Sequence, residues 1–240
     1  MKLYSLQAHF IELKSRLLKT TIFFFTCFAL SYYFKDSIYL YLVSPLGRKV
    51  IYTGLTEAFF TYIKISVFSA LILTLPMIAF QIYRFISPGL YPPERRIALL
   101  LLCFSPLLFL IGGSFVFYFV IPKAWQFFLS FELTDAISPL MLEARISEYL
   151  DLVINLIISF GLAFQLPIIF AILALMGVIT SDLLSRKRRL SIVVIFIIAG
   201  IITPPDALSQ IALAIPMLLL YEISIVACQF LENRGKNAGY

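Results

Sequence analysis

Residues 150–176 read LDLVINLIISFGLAFQLPIIFAILALM, and Asp151 is the one charged residue among them. As a helix rising about 1.5 Å per residue this run extends about 40 Å, more than the roughly 30 Å hydrocarbon core of a bilayer. It predicts a membrane span. Five further apolar segments flank it, at about 18–34, 58–84, 97–120, 190–202 and 207–228. The chain of 240 residues is 61% hydrophobic and 13% charged, with 24 Phe and 13 Tyr. A soluble domain carries roughly 45–50% apolar and about 25% charged residues. A disordered chain and an ordinary soluble domain are therefore both excluded. The expected architecture is an all-α integral membrane protein, a single transmembrane domain over 1–240 without internal repeat.

The charges give an orientation. Thirteen of the nineteen Lys and Arg fall in the N-terminal segment, in the loops near Arg84–Arg96 and Arg186–Arg189, and in the tail. Only Lys35, Arg48, Lys49, Lys123 and Arg145 lie in the alternate loops, and Lys64 lies inside a span. Cytoplasmic loops are enriched in Lys and Arg, so six spans with both termini cytoplasmic is the consistent topology. The net charge of +6 then reflects topology rather than nucleic-acid binding. The first span follows a basic start, as a signal peptide would, but no small-residue cleavage site follows it, so it is read as retained.

Two segments are short. Leu190–Ile202 extends about 20 Å, and Ala207–Leu220 little more. Either they form a re-entrant hairpin, or they span a locally thinned bilayer. Thr203-Pro204-Pro205-Asp206 makes a tight polar turn between them. Pro76, Pro106, Pro167 and Pro216 each remove a helix hydrogen bond within a span and favour a kink. The loop at about 121–149 is the longest, and reads equally as a cap over the bundle or as a solvated loop.

Polar groups in a span are costly, so each is a candidate site. Glu148, Asp151, Asn155 and Ser159 lie within about 80° on one helix face, with Gln165 deeper on that face. They suit a polar groove for a guest polypeptide or partner helix, or plain interhelical hydrogen bonding. Lys64, near one end of its span, can snorkel to the interface. At the start, Leu3, Leu6, Phe10, Leu13 and Leu17 step by three and four. They make one apolar stripe on an interfacial helix over residues 1–17. Glu12 on this helix is either an i,i+4 partner of Arg16 or a carboxylate offered to a cationic guest. In Phe85-Ile-Ser-Pro-Gly-Leu-Tyr-Pro-Pro-Glu94-Arg-Arg96, two prolines suit the first turn of a helix and Glu94 suits its N-terminus. Glu94 and Glu12 lie on the same membrane side, where two carboxylates can pair with two guanidinium groups.

Enzyme chemistry finds no footing. His9 is the only histidine, there is no phosphate loop or nucleophile elbow, and Cys27, Cys103 and Cys228 sit in apolar runs as core residues without a disulfide. A secondary transporter is disfavoured because no inverted repeat is visible.

Several blocks then occur in order: His9-Phe-Ile-Glu-Leu13, Phe59-Phe-Thr-Tyr-Ile-Lys64, Phe85–Arg96, Phe160-Gly-Leu-Ala-Phe-Gln-Leu-Pro167, and Thr203-Pro-Pro-Asp206 with Ser209-Gln210. Together they resemble the TatC family, the core membrane subunit of the twin-arginine, Sec-independent protein translocase. The resemblance implies a six-helix, curved, glove-like bundle in the bacterial inner (plasma) membrane or an organellar one. It implies no cofactor. It implies binding of paired-arginine signal peptides by Glu12 and Glu94, with Gln81 and Phe85 as neighbours. It further implies docking of TatB-type and TatA-type single-span subunits near Thr203 and Gln210, self-association in the receptor complex, and export of folded proteins driven by the proton-motive force. Gln165 stands where the family often has Glu, and Lys14 where it often has Arg; hydrogen bonding survives the first exchange, and fork geometry does not survive the second.

Overall fold

The computed structural model describes residues 2–47, 50–132, 142–202 and 207–237, with the side chains of all these except 2–10, 12, 13, 93, 202, 207–209, 212 and 233–237. The described residues form ten α-helices: α1 Lys2–Tyr33, α2 Lys35–Val43, α3 Glu57–Ile86, α4 Pro92–Phe115, α5 Ile121–Leu129, α6 Ile146–Ala163, α7 Leu166–Leu175, α8 Ser181–Arg186, α9 Arg188–Ile202 and α10 Ala207–Asn237. No β-sheet is present among them; a lone bridge pairs Ile51 with Arg145.

Four stretches are long and apolar enough to cross a membrane: Glu57–Gly89, Glu94–Leu129, Ile146–Leu175 and Leu213–Glu232. A fifth arises if Lys14–Tyr33 and Lys35–Leu46, bent by 73°, count as one span. The expected fifth segment, 190–202, lies in α9, which at 15 residues is too short to qualify by length. The chain is thus an all-helical, multi-pass membrane protein. Its lipid-facing exterior carries exposed Phe25, Leu100, Val193, Ile201 and Phe230, as apolar solvent permits.

The helix boundaries differ from the expected ones for local reasons. The interfacial segment 1–17 and the first span are one continuous helix, because nothing between them breaks the period. Thr20 and Thr26 hydroxyls donate back to the carbonyls of Arg16 and Ile22, so they cost the helix no unpaired polar group. Ser44-Pro45-Leu46 and Gly47, at φ +62°, end the bent extension with a left-handed turn. The third expected span is longer than 97–120: α4, one π-helical turn at Val116–Val120 and α5 run on as one rod from Pro92 to Leu129. Part of the long loop, 121–129, is therefore helix, while residues 133–141 lie outside the described residues. The fourth span breaks at Phe164–Gln165, where Pro167 has no N–H for the carbonyl four residues earlier. Pro76, Pro106 and Pro216 lie inside continuous helices. The Thr203–Asp206 turn lies outside the described residues.

The helix quoted first is the centre of the bundle. Half of its span is buried, the largest share of the four. Leu150, Val153 and Phe160 of α6 pack in one cluster with Ile65 and Phe68 of α3, Val116, and Leu213 and Ile225 of α10. Close approach of α4 to α6 depends on glycine. A Cβ on Gly161 would lie 2.4 Å from the Phe109 ring, and one on Gly112 would lie 2.9 Å from the Phe164 ring. Cys27, Cys103 and Cys228 are free thiols as expected, but Cys103 is exposed rather than in the core.

At the end of the bundle where α3 begins, one carboxylate ties three segments. Glu57 Oε2 accepts from the Thr53 and Gly54 amides at 2.8 and 3.1 Å, and Glu57 Oε1 accepts from Ser147 Oγ at 2.7 Å. Beside it, the Ile51 amide donates to Ala144 O and the Ile146 amide to Ile51 O. Glu57→Ala is expected to loosen both loops, read as faster tryptic cleavage after Arg145 in otherwise intact protein; an unchanged cleavage rate would show the tie to be dispensable.

Candidate functional site

The basic end of the bundle is built where α3 turns into α4. A short turn, Ser87-Pro88-Gly89, closes with Leu90 N–H donating to Ser87 O. Tyr91 is extended, and Pro92 and Pro93 open α4 because they need no amide partner there. Glu94 sits in the first turn, and its Oε2 accepts the Tyr91 amide at 2.8 Å. The carboxylate therefore caps its own helix and stands half-buried at the positive end of the helix dipole. The Arg95 Nε donates to Leu90 O at 3.2 Å, which stiffens the same turn.

The last turns of α3 supply the other side. Phe85 is exposed, at 47%, and Gln81 is half-buried one turn earlier. Here α1 packs along α3. Arg16 of α1 donates from Nη1 to Gln81 Oε1 at 3.2 Å and from Nη2 to Arg84 O at 3.4 Å. Arg84 itself lies over the Phe80 ring, 5.8 Å from its centroid. Glu12 stands one helical turn before Arg16 on α1; its side chain lies outside the described residues. The fold thus brings Gln81, Phe85 and the Glu94 turn to one end of the bundle, with the helix that carries Glu12 strapped to it. Sequence reasoning used Arg16 only as a neighbour of Glu12. No periodicity signals a contact to a residue 65 positions away.

A cavity of about 320 Å³ opens between α3, α4 and α7, lined among others by Ile82, Ile86, Leu102, Ser105 and Gln165. Gln165 is engaged there at both ends of its amide: its Oε1 accepts Ser105 Oγ at 2.6 Å, and its Nε2 donates to Ser105 O at 2.8 Å. The helix break thus carries an amide that bridges to α4, the interhelical bonding foreseen as one alternative. Gln210 of α10 donates to Phe196 O of α9 at 2.9 Å, across the site of Gly200. Thr203 lies outside the described residues. Lys64 does more than snorkel: its Nζ lies 2.8 Å from both oxygens of Asp151, an ion pair between α3 and α6 with both side chains half-exposed. Asn155 on the same face of α6 is exposed. The signal for that pair was in the sequence, as opposite charges near the same end of two spans. No group of histidine, cysteine or carboxylate ligands fit for a metal ion occurs among the described residues.

A multi-pass helical bundle with a carboxylate-bearing turn at its basic end defines an integral membrane protein of the helical class. The family model of the Sec-independent protein translocase protein (TatC) matches residues 8–216. The chain is 57% identical over all its length to the Sec-independent protein translocase protein TatC of Rickettsia prowazekii (strain Madrid E), covering 99% of that protein. It is 36% identical to the TatC protein of Escherichia coli (strain K12), with 95% and 90% of the two chains covered. The crystal structure of a twin-arginine translocase receptor, TatC, superposes with a TM-score of 0.79 at 36% identity, covering 92% of this chain and 98% of that one. The chain belongs to the TatC family. It is a membrane component of the Sec-independent protein translocase, working in a complex with other subunits, and not an enzyme.

Proposed function

We propose that this chain is the signal-peptide receptor of its translocase and that paired arginines dock at the basic end, on Glu12, Glu94, Gln81 and Phe85. The observation that carries this is the Arg16 contact. A guanidinium fork already finds two acceptors there, Gln81 Oε1 and the Arg84 carbonyl, beside the Glu94 turn. A planar fork matches a carboxylate bidentately where an ammonium group does not, so such a site separates Arg-Arg from Lys-Lys. The apolar stretch of the signal then lies along the cavity that leads from Ile86 to Gln165.

The same reading holds the chain to be one transmembrane domain over 1–240, in the bacterial inner membrane, with six spans and both termini cytoplasmic. The charge asymmetry supports it, and so does the collection of Arg16, Arg84 and Arg95 at one end of the bundle. The short α9 and the start of α10 receive TatB-type and TatA-type single-span subunits near Thr203 and Gln210, and a bilayer thinned around them eases passage of folded cargo. The chain associates with further copies of itself in the receptor complex, and the proton-motive force drives export.

The test is photocrosslinking in native membranes with an Arg-Arg signal peptide and a Lys-Lys control. Labelling between residues 81 and 94 by the Arg-Arg peptide alone is the expected result. Equal labelling by both peptides, or none, would refute the receptor assignment.

A further inference from the structure

We infer that Arg16 occupies the arginine seat of the empty receptor and competes with the incoming signal peptide, an autoinhibitory contact within the binding site. This rests on the receptor reading above and deepens it. Three features carry it. Gln81 Oε1, the acceptor that a signal arginine needs, is taken by Arg16 Nη1 at 3.2 Å. The second prong of the same guanidinium takes the Arg84 carbonyl at 3.4 Å, and the amide nitrogen of Gln81 faces only the Met77 sulfur at 3.9 Å. The side-chain oxygen of Gln81 thus already holds, on one of its two lone pairs, a guanidinium of the same chemistry as the ligand. Both of these bonds are at the long end of the hydrogen-bond range, and Arg16 is only half-buried.

The consequence is competition for a seat whose acceptors set the preference. A ligand that brings a guanidinium replaces like with like and recovers both acceptors. A ligand that brings an ammonium displaces a two-pronged donor with a point charge and leaves one acceptor short. The occupied seat lowers the affinity of every ligand by one common factor, the fraction of receptor in which the seat is open. Arg16 therefore costs the receptor affinity, while the preference for a guanidinium lies in the acceptors it competes for.

Binding of a fluorescent Arg-Arg signal peptide to the full-length protein in nanodiscs tests this. Arg16→Gln is expected to tighten Arg-Arg binding about five- to tenfold and Lys-Lys binding by the same factor. Arg16→Lys is expected to tighten it less, because an ammonium still holds one acceptor. In a Gln81→Ala background the gain from Arg16→Gln is expected to vanish, since the contested acceptor is gone; a merely structural role for Arg16 predicts no such loss. Unchanged or weaker Arg-Arg binding in Arg16→Gln would overturn the inference while leaving the receptor reading intact, provided wild type still prefers Arg-Arg. Equal wild-type affinity for both peptides would sink both. Failure of Arg16→Gln and Arg16→Lys alike to accumulate would also overturn it, because a contact that yields to a ligand cannot be what holds the fold.

Discussion

Glu94→Gln is expected to weaken recognition of Arg-Arg signals about tenfold to a hundredfold while the protein accumulates in the membrane at wild-type level. The amide keeps an oxygen in reach of the Tyr91 amide, so the cap on α4 is retained. What it loses is the negative charge, and with it the charge-assisted pairing to a guanidinium. Hydrogen bonds to charged groups are worth about 1.5–3 kcal/mol each, so Arg-Arg affinity should fall on the order of tenfold to a hundredfold. Glu94→Ala goes further by removing the cap as well, at about 1 kcal/mol. Glu12→Gln and Glu12→Ala are expected to act in the same direction on peptide binding and on export. Peptide titration and export of a folded reporter are the measurements. Wild-type export by Glu94→Gln would reduce Glu94 to a helix cap and remove it from the site.

The second large effect concerns the fold. Gly161→Val should prevent stable insertion, and Gly161→Ala should lower the melting temperature in detergent. The ideal Cβ at this position would sit 2.4–2.6 Å from three atoms of the Phe109 ring. That ring is 1% exposed, so an added methyl group must displace it within the core. Overpacking of this kind costs about 1–3 kcal/mol for small insertions, and two further methyl groups raise it. Phe109→Leu, which withdraws the ring, should restore part of the loss in Gly161→Ala. Gly89→Ala is the control, because a Cβ there meets nothing within 4 Å. Equal melting of Gly161→Ala and wild type would show that α4 and α6 can part without cost.

These two positions differ in how they were legible. Glu94 announces itself: a carboxylate directly after a proline pair, at the start of a helix, has a local reason to be there and a second use besides. Gly161 does not, since a glycine in a span is unremarkable until the opposing ring is known. Gln165 falls between the two. Its cost at mid-membrane marked it as a polar group needing a partner, but only the packing of α4 supplied Ser105.

The membrane class, the helical content, the segments that lead the bundle, the proline break in the central helix and the basic polarity of the two ends all follow from the order of residues alone. Each is a short-range property: hydropathy over one span, the missing amide of one proline, the charge of one loop. The tertiary structure decided the rest. It joined 1–17 to the first span and set α2 at 73° to that helix. It paired Lys64 with Asp151, Ser105 with Gln165, and Arg16 with Gln81. Those partners stand 87, 60 and 65 positions apart. A hydrogen bond or ion pair between helices depends on which faces meet and at what depth. Local periodicity determines that a face exists, and only the assembled bundle determines what it meets.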